Sequence, residues 1–175
     1  MKQSSAAQKI KVVILDIDGV LTDGGISYGQ GSAHENKSFY VKDGLGIVML
    51  RRYGIRVGVL TGRSCLANRQ RCTELQMDFI KENSNPKLPA FLELLAELEV
   101  SPEECLYIGD DLVDWPVMRR VGVSVAVGDA APELKQRATL TTVAAGGRGA
   151  VREAAEWLLK QQGKWEQVLS FYEMN

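Results

Sequence analysis

Three short apolar runs do most to limit what this chain can fold into. Residues 11–15 (KVVIL), 55–60 (IRVGVL) and 105–108 (CLYI) are mostly apolar, rich in β-branched side chains, and stop at the polar clusters DIDG, TGRS and GDD. A strand with one wet face alternates apolar and polar residues. A run that does not alternate has both faces covered, as in a parallel sheet between helices. A fourth run, 123–127 (VSVAV), ends at GDAAP, where Pro132 suits the first turn of a helix, and a weaker candidate lies around 77–80. Helical patterns fall between them: Leu45, Val48 and Met49; Leu88, Phe91, Leu92, Leu95 and Leu98; and residues 150–159. Ser101-Pro102-Glu103-Glu104 reads as a cap before the third run. The expected fold is α/β, a Rossmann-like parallel sheet with helices on both faces. At 175 residues, 45% of them hydrophobic, residues 1–175 read as a single domain.

One segment breaks the alternation. Over about 24–42, Ile26 and Tyr28, then Phe39 and Val41, flank a turn rich in Gly, Ser and Asn, which reads as a β-hairpin flap. Aromatic residues on an exposed hairpin call for a covering surface, so the flap is also a candidate pairing surface. His34 falls in its turn and reads as exposed. A tail over about 161–175 carries Trp165, Val168, Leu169, Phe171 and Tyr172 at helical spacing.

Charge excludes several functions. The 21 basic residues nearly cancel the 22 acidic ones, so no global field recruits nucleic acid or an anionic membrane. The apolar runs are too short to span a bilayer, and the polar start lacks a signal-peptide pattern. Three cysteines without a CxxC pair fit reduced thiols in the cytoplasm.

Ligands of open α/β sheets bind beyond the carboxyl ends of the strands. Those ends here carry Asp16 and Asp18, then Thr61, then Asp110, Asp111 and Asp114. Carboxylates gathered on one edge repel, and hard oxygen ligands point to Mg²⁺; a single histidine and unpaired cysteines argue against zinc. The same set suits phosphoryl transfer, where an anionic nucleophile meets an anionic phosphate only after charge is neutralised. Asp16 can attack phosphorus, and Asp18 can protonate the departing alcohol and then deprotonate water. Thr61 can hold a phosphoryl oxygen, and Lys87 can offset the charge on Asp16. Lys81 is the second candidate for that lysine.

DIDGVLTDG, LTGR and YIGDDLVDWPVM resemble the motifs of the haloacid dehalogenase superfamily of phosphohydrolases. KSFYVKDGLGIVML, GVSVAVGDA and GGRGAVRE narrow the resemblance to its 3-deoxy-D-manno-octulosonate 8-phosphate phosphatases, over residues 11–160. One departure is the segment IKENSNPKLPAF, where relatives generally carry glycine and no proline. The resemblance implies Asp16 as nucleophile, Asp18 as general acid/base, and Mg²⁺ held by Asp16, the backbone carbonyl of Asp18 and Asp110, with Asp111 acting through water. It also implies a homotetramer whose hairpins associate around a central barrel, a sugar-acid phosphate substrate, and a place in lipopolysaccharide biosynthesis. No cap domain fits between Asp18 and Thr61 or between Thr61 and Lys87.

A guanidinium grips a carboxylate in two places, so Arg63 and Arg148 are candidates for binding the sugar acid, with Lys42 at the hairpin's end as a third. Two other readings use much of the same residue set. One is a phosphatase of a nine-carbon sialic-acid-type 9-phosphate. The other is a phospho-receiver signalling domain, against which the acid/base group Asp18 weighs.

Overall fold

The unalternated runs form the middle of a six-stranded, all-parallel sheet. The structure, a computed structural model, describes residues 5–28 and 35–174. In chain order its elements are β1 (Val12–Leu15), β2 (Ser27–Tyr28), β3 (Glu35–Asn36), α1 (Val41–Arg52), β4 (Arg56–Leu60), α2 (Leu66–Glu74), β5 (Phe79–Lys81), α3 (Lys87–Leu98), β6 (Cys105–Gly109), α4 (Trp115–Met118), β7 (Val123–Ala126), α5 (Pro132–Lys135), β8 (Leu140–Thr141), α6 (Ala150–Gln161) and α7 (Trp165–Phe171). The sheet order is β5-β4-β1-β6-β7-β8. Every residue of β1, β6 and β7 is buried, as strands covered on both faces require. The core runs through Ile14, Leu15, Val57, Val59, Tyr107 and Ile108 on the sheet, and through Ile47, Phe91, Leu94 and Leu158 on the helices.

Register decides what meets at the carboxyl edge. Leu15 pairs with Val59 on one side and Ile108 on the other, so Asp16 emerges level with Leu60 and Gly109. Thr61 and Asp110 stand one residue further along. Chain order reverses around β1, which places this edge at the switch point of the sheet.

Local signals act where expected. Pro132 opens α5, and Ser101 and Glu104 close a capping box ahead of β6. The N-terminus of α6 is held from another helix: the buried Asp43 of α1 accepts from the Gly149 N–H at 3.1 Å and the Arg152 N–H at 2.8 Å. Burial nonetheless pushes the Asp43 carboxyl above its usual range. The tail helix α7 docks on its own chain, burying Val168 and packing Trp165 on the core.

The hairpin differs from expectation. Its paired residues are only Ser27 with Asn36 and Tyr28 with Glu35. Phe39 packs against the core, and Val41, 78% exposed, begins α1. Lys42 therefore does not end the hairpin; it stands exposed in the first turn of α1. The alternation of Phe39 and Val41 read as strand, but docking of α1 through Asp43, Ile47 and Leu50 outweighs it. The sheet also gains the two-residue edge strand β8, too short to announce itself. His34 and the hairpin turn lie outside the described residues. Between β1 and β4 the described chain holds only the ribbon and α1, and between β4 and α3 only α2 and β5, so neither interval carries a cap domain among the described residues.

Candidate active site

A cavity of about 280 Å³ opens at the carboxyl edge, lined among others by Asp16, Asp18, Thr61, Arg63, Lys87, Asp110 and Asp111. Asp16 leaves the end of β1 with its Oδ1 accepting from the Ile17 N–H at 2.7 Å. Its Oδ2 lies 2.8 Å from the Lys87 ammonium. Lys87 is the first residue of α3 and is buried, and its Nζ also reaches Asp114 Oδ1 at 2.6 Å and the Tyr107 hydroxyl at 3.2 Å. Lys81 points elsewhere, pairing with Glu97 at 2.5 Å.

Asp114 is fully buried and fully engaged. Its Oδ1 accepts from Lys87 and from the Tyr107 hydroxyl at 2.7 Å; its Oδ2 accepts from the backbone N–H groups of Asp110 at 2.9 Å and Asp111 at 3.2 Å. One carboxylate thus fixes both the lysine and the loop that presents Asp110. Such a hub is invisible in the spacing GDDLVD, where Asp114 reads only as a further acid. Asp111 caps the turn that follows, its Oδ1 accepting from the Leu112 N–H at 2.7 Å.

Electrostatics show a site with surplus negative charge. Asp110 is pushed up to about 7 by burial, then by Asp114 and Asp16. Asp16 is pushed up to about 6, burial outweighing the attraction of Lys87. Burial opposes the charge on Lys87, but Asp16 and Asp114 together hold its affinity for a proton above the usual lysine value. Carboxylate oxygens of Asp16, Asp110 and Asp114 come within 4.8 Å of one another. Each oxygen of Asp114 already accepts from two donors, whereas each oxygen of Asp16 accepts from one, so Asp16 and Asp110 are the pair with capacity for a hard cation. Gly19 keeps that space open: at φ +84°, a Cβ there would stand 2.1 Å from Asp110 Oδ2. The donor set fits Mg²⁺.

Asp18 faces a second group of charges. Its Oδ1 accepts from the Lys37 ammonium at 2.6 Å, and the Lys37 side chain is completely buried. Arg63 Nε lies 3.9 Å from Asp18 Oδ2, while the Arg63 guanidinium bonds to Glu35 of β3 and holds that carboxyl below its usual range. Lys37 did not stand out in the sequence, because nothing in the spacing ties a hairpin lysine to DIDG. Thr61 is buried at the end of β4 and lines the cavity.

Two expected binding residues do not join this group. Lys42 is exposed on α1, and Arg148 is turned to Asp23 at 3.1 Å, with 65% of its side chain exposed. The glycine-rich turn around Arg148 contributes backbone instead: Gly147 donates to the Val20 carbonyl at 2.9 Å, bracing the loop that carries Asp18.

Residues 77–152 match the haloacid dehalogenase-like hydrolase family. The 3-deoxy-D-manno-octulosonate 8-phosphate phosphatase KdsC of Escherichia coli K12 is 47% identical over 162 residues, covering 93% of this chain and 86% of the relative. Among solved structures, the phosphatase of that name from Yersinia pestis superposes with a TM-score of 0.89 at 45% identity, covering 92% of this chain and 86% of the other. The one from Moraxella catarrhalis, in complex with magnesium, phosphate and a KDO molecule, superposes with a TM-score of 0.92 at 35% identity, covering 95% of each chain. The chain belongs to the haloacid dehalogenase-like hydrolases and, within them, to the family of the 3-deoxy-D-manno-octulosonate 8-phosphate phosphatases.

Proposed function

We propose that this protein is a Mg²⁺-dependent phosphatase that hydrolyses 3-deoxy-D-manno-octulosonate 8-phosphate to the free sugar acid and inorganic phosphate, in lipopolysaccharide biosynthesis. One observation carries the chemistry: Asp16 is held between the Ile17 N–H and Lys87, with Asp110 close enough to share a cation. The 47% identity to the Escherichia coli phosphatase supports the substrate.

In this reading a carboxylate oxygen of Asp16 attacks phosphorus while the bond from phosphorus to the sugar oxygen breaks, leaving an aspartyl phosphate. Asp18, protonated, gives its proton to the departing sugar oxygen, and the sugar acid leaves as an alcohol. Asp18 then takes a proton from water as the resulting hydroxide attacks phosphorus, which releases phosphate and restores Asp16. Lys87 balances the charge that collects on Asp16 and the phosphoryl group, and Thr61 donates to a phosphoryl oxygen. Asp16, Asp110 and the backbone carbonyl of Asp18 would hold Mg²⁺, with Asp111 acting through water; the ion supplies charge neutralisation between carboxylates and phosphate. Arg63, which lines the cavity, suits the substrate carboxylate.

The whole chain would act as one catalytic domain, in the cytoplasm, as a homotetramer. Among the described residues no helix is long and apolar enough to cross a membrane, and the three cysteines are free thiols. The lack of a cap among the described residues and the exposed Ile26 and Tyr28 support cover from a neighbouring copy. The phosphatase names of the relatives favour turnover over a receiver's role.

Phosphate release against a panel tests the reading: the eight-carbon sugar-acid phosphate, a nine-carbon sialic-acid-type 9-phosphate and an ordinary hexose phosphate. The eight-carbon substrate should give the highest kcat/KM. Preference for the nine-carbon compound would move the substrate, and no turnover of any would end the reading.

A further inference from the structure

Asp18 is the residue asked to carry a proton in both half-reactions, yet its partner comes from outside the sheet. Lys37 follows β3 directly, at the base of the ribbon, and its side chain has no exposure to solvent. A buried ammonium needs acceptors, and this one finds Asp18 Oδ1 at 2.6 Å, with Glu35 Oε2 further off at 3.8 Å. Asp18 Oδ2 is buried without a hydrogen-bond partner among the described residues. Lys37 is absent from the lining of the cavity, whereas Asp18 is part of it. The lysine is therefore placed to touch the acid/base group and not the substrate.

We infer that Lys37 is a positioning residue for phosphoryl transfer: its bond to Oδ1 fixes the rotamer of Asp18 at the cavity wall. The reason is the geometry of that bond. A buried ammonium 2.6 Å from Oδ1 has no water to turn to, and Arg63 Nε stands 3.9 Å from Oδ2, so the carboxyl is held from both ends. A carboxyl free to turn would present either oxygen and lose alignment with the departing group. Glu35, two residues earlier in β3, grips Arg63, so the base of the ribbon constrains two residues of the cavity wall together. The inference rests on the proposed roles of Asp16 and Asp18.

The test uses the full-length enzyme with Mg²⁺ and compares kcat/KM, which reports events up to departure of the first product. The substrates are the sugar-acid 8-phosphate, whose alkoxide needs a proton to leave, and p-nitrophenyl phosphate, whose phenolate does not. Lys37→Met should lower kcat/KM about 10- to 100-fold on the sugar-acid phosphate and by less than about threefold on the aryl phosphate, the range of a misplaced general acid. Lys37→Arg should recover part of the loss. In an Asp18→Asn background, adding Lys37→Met should cost nothing further, because the lysine acts through that carboxyl. Equal loss on both substrates, or an additive loss in the double variant, would overturn the inference and mark Lys37 as a general structural or substrate contact. Should Lys37→Met not fold, Lys37→Arg and Lys37→Gln on the two substrates decide by the same ratio. A wild-type enzyme inactive on the sugar-acid phosphate but active on the aryl phosphate would instead sink the substrate reading. The lysine would then be judged on a simple alkyl phosphate.

Discussion

The carboxyl edge of the sheet and the base of the ribbon both deliver charge to one cavity, but they are built differently. On the sheet, Asp16, Thr61 and Asp110 take their places from backbone ladders: the register of β1 against β4 and β6 sets them side by side before any side chain is considered. At the ribbon, two paired residues on each strand give little register, and Lys37 and Glu35 reach the site only through ion pairs with Asp18 and Arg63. Geometry made by the sheet should survive loss of a side chain's charge; geometry made by pairing should not.

The harshest trial of that contrast is Asp16→Asn. The amide oxygen still accepts from the Ile17 N–H, and the ladder that positions residue 16 is untouched. Turnover should fall by about four orders of magnitude or more, as when a nucleophile is removed elsewhere. The unfolding midpoint in urea should move little, and labelled phosphate should no longer appear on the protein. Substantial remaining activity would exclude Asp16 as nucleophile.

Next in size are the two lysines. Lys87→Ala leaves Asp16 and Asp114 facing each other without the ammonium between them, so kcat should drop on the order of 100-fold or more. Lys81→Ala removes only the pair with Glu97, of which over half of the glutamate side chain is exposed, and kcat should stay within about threefold. Reversed results would show that α3 does not present its first residue to the site in solution.

Asp114 separates structure from chemistry. Asp114→Ala takes one of its two carboxylates from a buried ammonium and leaves a buried hydroxyl and two backbone N–H groups without their acceptor, and should cost about 3–5 kcal/mol of stability in urea denaturation. A loss below about 1 kcal/mol would mean that water or another residue replaces it, which argues against a hub.

Metal and protons should compete at the same edge. Asp16 and Asp110 are raised to about 6 and about 7 in the folded chain, against an ordinary aspartate near 4. Between those values the native state holds more protons than the unfolded chain, so the metal-free protein should lose stability as pH rises from about 4 through 7. Mg²⁺ binds the deprotonated pair, so its stabilising shift in Tm should be larger at pH 8 than at pH 5.5, and a chelator should abolish turnover. A Tm shift independent of pH would contradict assignment of the ion to these two carboxylates.

What could be read from the sequence follows the same division. The strands at β1, β4, β6 and β7 were legible because unalternated β-branched runs leave few other folds open, and the acidic clusters were legible because they sit where those runs stop. Lys87 was legible as a helix start, though its choice over Lys81 depended on a segment with unfamiliar proline. Lys37 and the hub role of Asp114 were not, since each is set by a side-chain contact between elements whose relative placement no local pattern encodes. Phe39 and Val41 misled for a related reason: an alternating pair is weak evidence for a strand when the next residues can dock a helix. Arg148 stands apart from the cavity of its own chain, and what its turn visibly contributes is backbone, the Gly147 N–H bonded to the Val20 carbonyl.

The smallest expected effect concerns that turn and separates its two contributions. Gly147 adopts φ +60°, and a Cβ there would lie 2.4 Å from the Thr22 carbonyl carbon, under the loop that carries Asp18. Gly147→Ala should therefore destabilise by about 1–3 kcal/mol, the cost of a strained non-glycine conformation, and should lower kcat as the loop shifts. Arg148→Ala removes an exposed pair with Asp23 and should change stability by about 0–1 kcal/mol. Its KM should move by less than about twofold, since exposed pairs of this kind hold their neighbours only weakly. A large rise in KM for Arg148→Ala on the sugar-acid phosphate, absent on p-nitrophenyl phosphate, would instead return the guanidinium to substrate binding. It would then have to swing from Asp23 toward the carboxylate, or serve the cavity of a neighbouring copy, and mixing Arg148→Ala subunits with Asp16→Asn subunits separates these. Activity recovered in the mixture requires an arginine and a nucleophile from different chains, whereas a cavity served by its own chain gives no recovery.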